Sequence, residues 1–186
     1  MFDKLPLSIK VNNIDYKINT DFRYYIKFEE IIKRGADKQE ILNFMFSVCP
    51  FFDKIIELNL VEEFISEFLK FYNLGDTIED SIENKGTKQE DIFDYYQDRN
   101  YIWGAFYTQY RVDLNEDSLH WWKFKAMWNC LDSELIFSKI RSYRVYNGKD
   151  KNLLELKQFY KLKESKENKE RKKKIIEEIL SKEKRC

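Results

Sequence analysis

The sequence predicts a mainly α protein of the α+β class, in which an N-terminal β-hairpin packs on a multi-helix bundle and a charged helical extension follows at the C-terminus. Glycine and proline are scarce, with five and two among 186 residues, which favours helices over a β sandwich with many turns. Apolar residues recur at helical spacing along most of the chain. Hydrophobic residues make up 43% of the sequence, so the chain can form a buried core.

Two short alternating runs predict the hairpin. Residues 7–11 and 14–18 each alternate apolar with polar side chains, as half-buried strands do. Asn12 and Asn13 separate the runs, and asparagine tolerates the positive φ angles of a type I′ turn. The next helical stripe begins at Tyr24 and ends before Gly35, and we expect it to cover the apolar face of the hairpin.

Two more helices complete a first predicted unit, residues 1–75. Asp37 and Asn59 are each followed three residues later by a glutamate, which is the spacing of a capping box and predicts a helix start. The apolar stripe behind Asn59 continues to Tyr72 and is the clearest amphipathic pattern of the chain. Residues 76–90 are polar and acidic, so we interpret them as a linker or loop.

A helix with a wide aromatic face opens the second predicted unit, residues 91–148. Its apolar and aromatic side chains lie on one face between Ile92 and Tyr110, and we expect Trp103 to be buried there. Arg99 lies in the middle of this face. An arginine whose stem packs and whose head pairs with a carboxylate is favoured here over a ligand-binding role.

The following helix is apolar on two opposite sides. At about 100° per residue, one stripe contains Leu119, Trp122, Ala126 and Cys130, and the other contains Trp121, Phe124, Trp128 and Leu131. A surface helix needs only one apolar stripe. The helix therefore either lies at the centre of its domain, with Trp122 buried, or offers one stripe to a partner.

The last region, residues 149–186, is predicted to be a charged helix. Within the second unit, Asp132 and Ser133 predict the start of one more helix ahead of this last region. Residues 161–186 contain 11 basic and six acidic side chains, a net charge of +5 in a chain of zero formal charge. Residues 163–174 contain no aliphatic or aromatic side chain, so we expect them to be exposed. Beyond them lies an isolated apolar patch, made of Ile175, Ile176, Ile179 and Leu180.

The sequence lacks the patterns of common catalytic, cofactor and metal sites. The five glycines stand apart, so no phosphate-binding loop is formed. His120 is the one histidine, and between aromatic neighbours we interpret it as a packing or helix-start group rather than a catalyst. Cys49, Cys130 and Cys186 form no C-x-x-C pair; we interpret them as two buried residues and one free terminal thiol.

Charge and hydropathy limit the classes of partner. The zero net charge disfavours nucleic acid as a general partner. No apolar run has the length of a signal peptide or of a membrane span. We therefore expect a cytoplasmic protein without a membrane partner.

Part of the second unit resembles a known family. The motifs are Phe93-Asp94, Gln97-Asp98, Tyr101-Ile102, Ala105-Phe106, Asp113-Leu114, the run Leu119-His120-Trp121-Trp122-Lys123-Phe124 and a closing Tyr143-Arg144. Over residues 91–144 they resemble the bacteriophage gene-product-fifteen family. The resemblance implies a tail-assembly chaperone of long-tailed phages, with the tape-measure protein and the tail-tube protein as partners. It also implies a role in the host bacterial cytoplasm and absence from the mature virion.

Two functions stay open at this point. The first is a non-enzymatic chaperone that shields apolar stripes of the tape-measure chain reversibly. The second is a small phage-encoded binding module that acts on a host protein or nucleic acid through its basic C-terminal helix.

We expect partner binding through apolar surface left over after folding. Tyr101 is a candidate because it lies on the polar side of its helix, where no core position requires an aromatic ring. The full set of predicted contacts is Tyr101, Trp121, Phe124, Trp128, Ile175, Ile176, Ile179 and Leu180. Self-association into a homo-oligomer through the same surfaces is the competing expectation.

Overall fold

The N-terminal hairpin forms as predicted. The computed structural model describes residues 4–49, 60–76 and 92–163. Its two strands, β1 (Ser8–Val11) and β2 (Ile14–Lys17), pair antiparallel with Val11 opposite Ile14. The φ angles of Asn12 and Asn13 are 49° and 61°, as a type I′ turn requires. A sheet of two strands cannot form a core alone, so helices must cover it.

The first two helices, α1 (Phe22–Lys33) and α2 (Lys38–Val48), both begin at an aspartate cap. The Asp37 side chain accepts a hydrogen bond of 2.8 Å from the Glu40 backbone N–H, which confirms the predicted start of α2. Gly35 lies between the helices with a φ angle of 75°. It ends α1 as predicted, because this left-handed conformation suits glycine.

The third helix, α3 (Val61–Tyr72), covers the hairpin by packing on β1. We expected α1 to provide this cover, and that prediction was wrong. Instead, α1 packs on α2 and on the central helix of the second unit. Tyr24 and Ile32, at the edges of the predicted stripe, are 39% and 47% exposed, because a helix needs to bury only one face. The predicted cap of α3, Asn59, lies outside the described residues.

In the described stretch 92–163 lie four further helices, α4 (Arg99–Tyr110), α5 (Trp121–Asn129), α6 (Ile136–Val145) and α7 (Lys151–Phe159). Together with the hairpin, the helices confirm the mainly α, α+β class. The helix expected from Ile92 starts only at Arg99. The cause is Asp94, whose carboxylate accepts hydrogen bonds from the backbone N–H groups of Tyr96 and Gln97 and so holds a turn before the helix.

One hydrophobic core is shared by the two predicted units. Side chains of β1, α1, α2 and α3 are buried together with side chains of α4, α5 and α6. The described residues of the ranges 1–75 and 91–148 therefore pack against each other in a common interior. Almost all of the predicted linker, and the tail from residue 164 onward, lie outside the described residues. The tail includes the predicted contact patch Ile175, Ile176, Ile179 and Leu180.

Candidate interaction surface

The central helix α5 lies inside the protein. Trp121 and Phe124 are 0% exposed and Trp128 is 5% exposed. The Phe124 ring stacks on Phe22 of α1 and on Phe106 of α4, at centroid distances of 4.7 and 5.1 Å. The prediction that Trp121, Phe124 and Trp128 form apolar surface left over after folding is therefore wrong, because neighbouring helices cover that stripe.

The two adjacent tryptophans of α5 close the end of α3. The indole Nε1–H of Trp121 donates to the Tyr72 carbonyl, and that of Trp122 donates to the Phe71 carbonyl, each at 2.8 Å. Carbonyl groups in the last turn of a helix have no partner within that helix. Trp122, which we expected to be buried, is half-buried. The Trp-Trp pair thus joins the first unit to the second.

His120 caps α5 and holds the N-terminal segment. Its Nδ1 accepts a hydrogen bond of 3.1 Å from the Trp122 backbone N–H, while its Nε2 lies 2.8 Å from the Pro6 carbonyl oxygen. Since Nδ1 accepts, the ring proton is on Nε2 and donates to Pro6. Burial lowers the pKa of His120, and Lys123 lowers it further, so the neutral ring is favoured. This confirms the interpretation of His120 as a helix-start group.

A buried ion pair anchors the start of α4. Arg144 of α6 contacts Asp98 through two bonds, Nη1 to Oδ2 at 2.6 Å and Nη2 to Oδ1 at 2.8 Å, and the two side chains are 8% and 2% exposed. Arg144 also donates to the carbonyls of Tyr160 and Ile92 at 2.7 and 3.0 Å. One guanidinium thereby ties α4, α6 and the end of α7 together. In the sequence, both residues stand out only as parts of the family motifs.

The outer face of α4 carries exposed aromatic side chains. The helix buries Ile102, Ala105 and Phe106, but Trp103 and Tyr107 on its other side are 36% and 44% exposed. The expectation that Trp103 is buried was wrong. The predicted aromatic face was wide, and a surface helix buries a narrower stripe. That width could have indicated that part of the face stays exposed. We name the α4 row the set made of Arg99, Trp103 and Tyr107 of α4 and of Arg111, which directly follows the helix with a left-handed φ angle of 59°.

The rings of the α4 row are held in place. Trp103 and Tyr107 stack at 5.3 Å with an interplanar angle of 13°, and the Trp103 Nε1–H donates to Asp113 Oδ1 at 2.8 Å. That hydrogen bond is the main reason why the pKa of the Asp113 carboxyl is lowered. The Arg99 guanidinium lies 4.8 Å from the Tyr96 ring centroid. Among the described residues Arg99 forms no ion pair, so the expectation that it pairs with a carboxylate was wrong.

Tyr101 has a partner within the chain. It is half-buried, and its ring lies 6.4 Å from the Tyr160 ring after α7, in an edge-on arrangement. This contact gives an intramolecular reason for an aromatic residue on that side of α4. Its role as a partner contact stays a prediction.

Cys49 is buried as expected, whereas Cys130 is exposed, because it follows the last turn of α5; Cys186 lies outside the described residues. In residues 4–49, 60–76 and 92–163, no group of His, Cys, Asp or Glu side chains could hold a metal ion. The same part of the chain contains no helix that is long and apolar enough to cross a membrane.

A shallow cleft of about 200 Å³ lies between the hairpin and α3. Ile9, Phe71 and Trp122 contribute its apolar lining, and Lys10 and Glu67 are among its charged residues. Its walls carry both signs of charge, and it has no cluster of catalytic side chains. The α4 row, in contrast, presents two exposed and stacked aromatic rings.

The fold defines the class of this protein, and a match to a known family defines its family. The hairpin, the helices and the exposed row define a mainly α protein with an ordered aromatic surface. A family model described as "Bacteriophage Gp15 protein" matches residues 1–175, and the chain belongs to that family. The match extends well beyond the signature at residues 91–144 and includes the hairpin and the first three helices. No curated protein and no solved structure matches the chain.

Proposed function

We propose that this phage protein is a non-enzymatic tail-assembly chaperone, which binds the tape-measure protein and helps to recruit tail-tube subunits around it. The family match supports a phage role. The observation that carries the proposal is the exposed and ordered α4 row. Tyrosine, tryptophan and arginine are the side chains that contribute most often to binding hot spots, and here they lie together on one helix.

The physical requirement on such a chaperone is reversible shielding. A long helical tape-measure chain exposes apolar stripes until the tube surrounds it, and exposed stripes of this kind associate non-specifically. A short row on a single helix offers a small contact area, and small interfaces are typical of transient complexes. Within this proposal the protein acts in the host cytoplasm during assembly and is absent from the mature virion.

Co-expression tests the proposal. The tape-measure protein of the same phage is produced alone and together with this chain, and its soluble fraction and its co-purification with the chain are measured. We expect the soluble fraction to rise and the two proteins to elute together. An unchanged soluble fraction without co-purification would contradict the chaperone role.

A tail variant separates this function from the alternative binding module. Lys172→Glu/Lys173→Glu/Lys174→Glu removes basic charge from the segment on which the alternative depends. The chaperone proposal expects this variant to retain the tape-measure protein as wild type does. Retention lost only in this variant would favour the basic C-terminal region as the binding element.

A further inference from the structure

The β1 edge of the hairpin carries free backbone groups. Residue pairs of the two strands alternate between hydrogen-bonded and non-hydrogen-bonded, counted from the pair that flanks the two-residue turn. The backbone groups of Ser8 and Lys10 on β1 and of Lys17 on β2 therefore point away from the partner strand. The Lys17 carbonyl accepts a hydrogen bond of 3.1 Å from the Cys49 thiol. The backbone N–H and C=O groups of Ser8 and Lys10 have no hydrogen-bond partner in residues 4–49, 60–76 and 92–163.

Contacts at both ends hold this edge in place. Before it, Pro6 has no backbone N–H, and the His120 ring donates to the Pro6 carbonyl at 2.8 Å. After it, the Asn12 backbone N–H donates to the Glu63 carboxylate of α3 at 2.9 Å. The residues between these contacts already have the extended conformation of a strand, so they need little ordering before they pair with another chain.

The free edge borders the shallow cleft between the hairpin and α3. Ser8, Ile9 and Lys10 all line this cleft, and Phe71 and Trp122 complete its apolar lining. Its volume of about 200 Å³ is below the roughly 300–1,000 Å³ of small-molecule sites. The cleft therefore suits an apolar side chain of a bound polypeptide better than a whole small ligand.

The charges around the cleft cancel. Its charged lining residues are Lys10, Asp15, Glu67 and Lys70, two of each sign. Lys10 lies opposite Asp15 in the strand register, and Lys70 pairs with Glu67 at 3.8 Å. Net charge therefore selects no partner at this site, and recognition depends on backbone hydrogen bonds and apolar contact.

The spacing of the free groups determines what can occupy the edge. Outward groups recur at every second residue, about 7 Å apart, and only an extended chain presents its own N–H and C=O groups at that spacing, since those of a helix bond to each other. A second copy of β1 is a poor occupant. Antiparallel pairing about Ile9 would place the two Lys10 side chains diagonally on one face, and lysine on an edge strand is a common protection against such self-pairing.

We infer that the β1 edge binds an extended segment of a partner protein, which pairs with Ser8 and Lys10 as a third strand and inserts an apolar side chain into the cleft. In β-strand addition, main-chain hydrogen bonds supply affinity and side-chain pockets supply specificity. The site is separate from the α4 row. It goes beyond the proposed function, because it adds a second binding site and defines the conformation of the segment that is bound there.

Short synthetic peptides of alternating valine and threonine test the inference on the full chain. One is unmodified, and two others carry N-methyl groups on the backbone of either the valines or the threonines, so that each keeps the N–H groups of one edge only. Dissociation constants are measured by titration calorimetry. Methylation of the edge that faces β1 should weaken binding about tenfold, and methylation of the other edge should leave it unchanged. Equal affinities of the two methylated peptides, or no binding of the unmodified peptide, would overturn the inference.

Proline variants locate the contact on one edge of the hairpin. Lys10→Pro removes an outward N–H from β1 and leaves the bonds between the strands intact, and we expect it to weaken the unmodified peptide about tenfold. Lys17→Pro is the matched control, because it removes the same side chain and one outward N–H from β2. Lys10→Ala keeps the backbone N–H. Both controls should bind as wild type does, and equal affinities of Lys10→Pro and Lys10→Ala would overturn the inference.

Two further measurements guard against misfolding and against self-association. Circular dichroism checks that the proline variants fold, and the methylated peptides test the same contact on the wild-type chain if Lys10→Pro does not. Light scattering measures the oligomeric state. A dimer that Lys10→Pro converts to a monomer would overturn the inference, since a second copy would then be the occupant of the edge.

The tape-measure protein separates this inference from the proposed function. If wild type retains the tape-measure protein but does not bind the unmodified peptide, strand addition fails and the chaperone function stands. If the peptides behave as expected but wild type does not retain the tape-measure protein, the chaperone function fails and strand addition at the β1 edge stands.

Discussion

Breaking the buried pair of Asp98 and Arg144 should destabilise the protein far more than breaking a surface pair. The two side chains are 2% and 8% exposed and bond at 2.6 and 2.8 Å. Asp98→Ala leaves a guanidinium without its carboxylate in a desolvated position. Removal of one partner of a buried ion pair costs about 3–5 kcal/mol.

Arg144→Ala should lower the free energy of unfolding by more than Asp98→Ala does. In this variant the buried Asp98 carboxylate loses its cation and keeps the hydrogen bond of 3.0 Å that the Asp94 backbone N–H donates to it. It also frees the carbonyls of Ile92 and Tyr160, and each buried polar group left without a partner costs about 1–3 kcal/mol. The end of α7 should then separate from α4 before the rest of the protein unfolds.

Urea unfolding followed by tryptophan fluorescence measures these costs. Lys139→Ala is the control, because Lys139 forms an exposed pair with Glu134 at 2.9 Å, and such pairs contribute about 0–1 kcal/mol. The double variant Asp98→Ala/Arg144→Ala completes a cycle and gives the coupling free energy. A cost for Asp98→Ala below about 1 kcal/mol, similar to that of the control, would refute the reasoning.

Three further predictions follow from the packing. Gly104→Ala should raise the free energy of unfolding by about 0.5–1 kcal/mol, because the added Cβ meets open space within α4; a lower thermal midpoint would contradict this. The pKa of His120 is lowered from its usual 6.5 by burial, so the unfolded chain takes up the proton first as the pH falls below that value. The free energy of unfolding should therefore decrease as the pH falls below 6.5. His120→Asn keeps a capping side chain but does not titrate, so its free energy of unfolding should decrease less in parallel urea titrations. Trp121→Phe should destabilise more than Trp122→Phe in thermal melts, since the carbonyl that it frees lies beside a fully buried ring; the reverse order would contradict that account.

Local patterns in the sequence determined the secondary structure. The alternation around Asn12 and Asn13 predicted the hairpin and its turn, and Asp37 predicted the start of α2. These features depend on residues that are neighbours along the chain, so periodicity and capping rules predict them. The family motifs at residues 91–144 likewise indicated membership that the match over residues 1–175 confirms.

Only the tertiary structure decided which side of each helix is buried. The α5 helix is apolar on two opposite sides and α4 has one wide apolar face, and periodicity alone cannot decide which side, or which part of a wide face, is buried. The rings of α1 and α4 enclose Phe124, whereas nothing described covers Trp103 and Tyr107 in this way. Asp98 and Arg144 are 46 positions apart, and a contact over that separation arises from the packing of whole helices. The partners of the core residues, and the surface that remains exposed, are set by such long-range contacts, which a single sequence does not encode as a readable pattern.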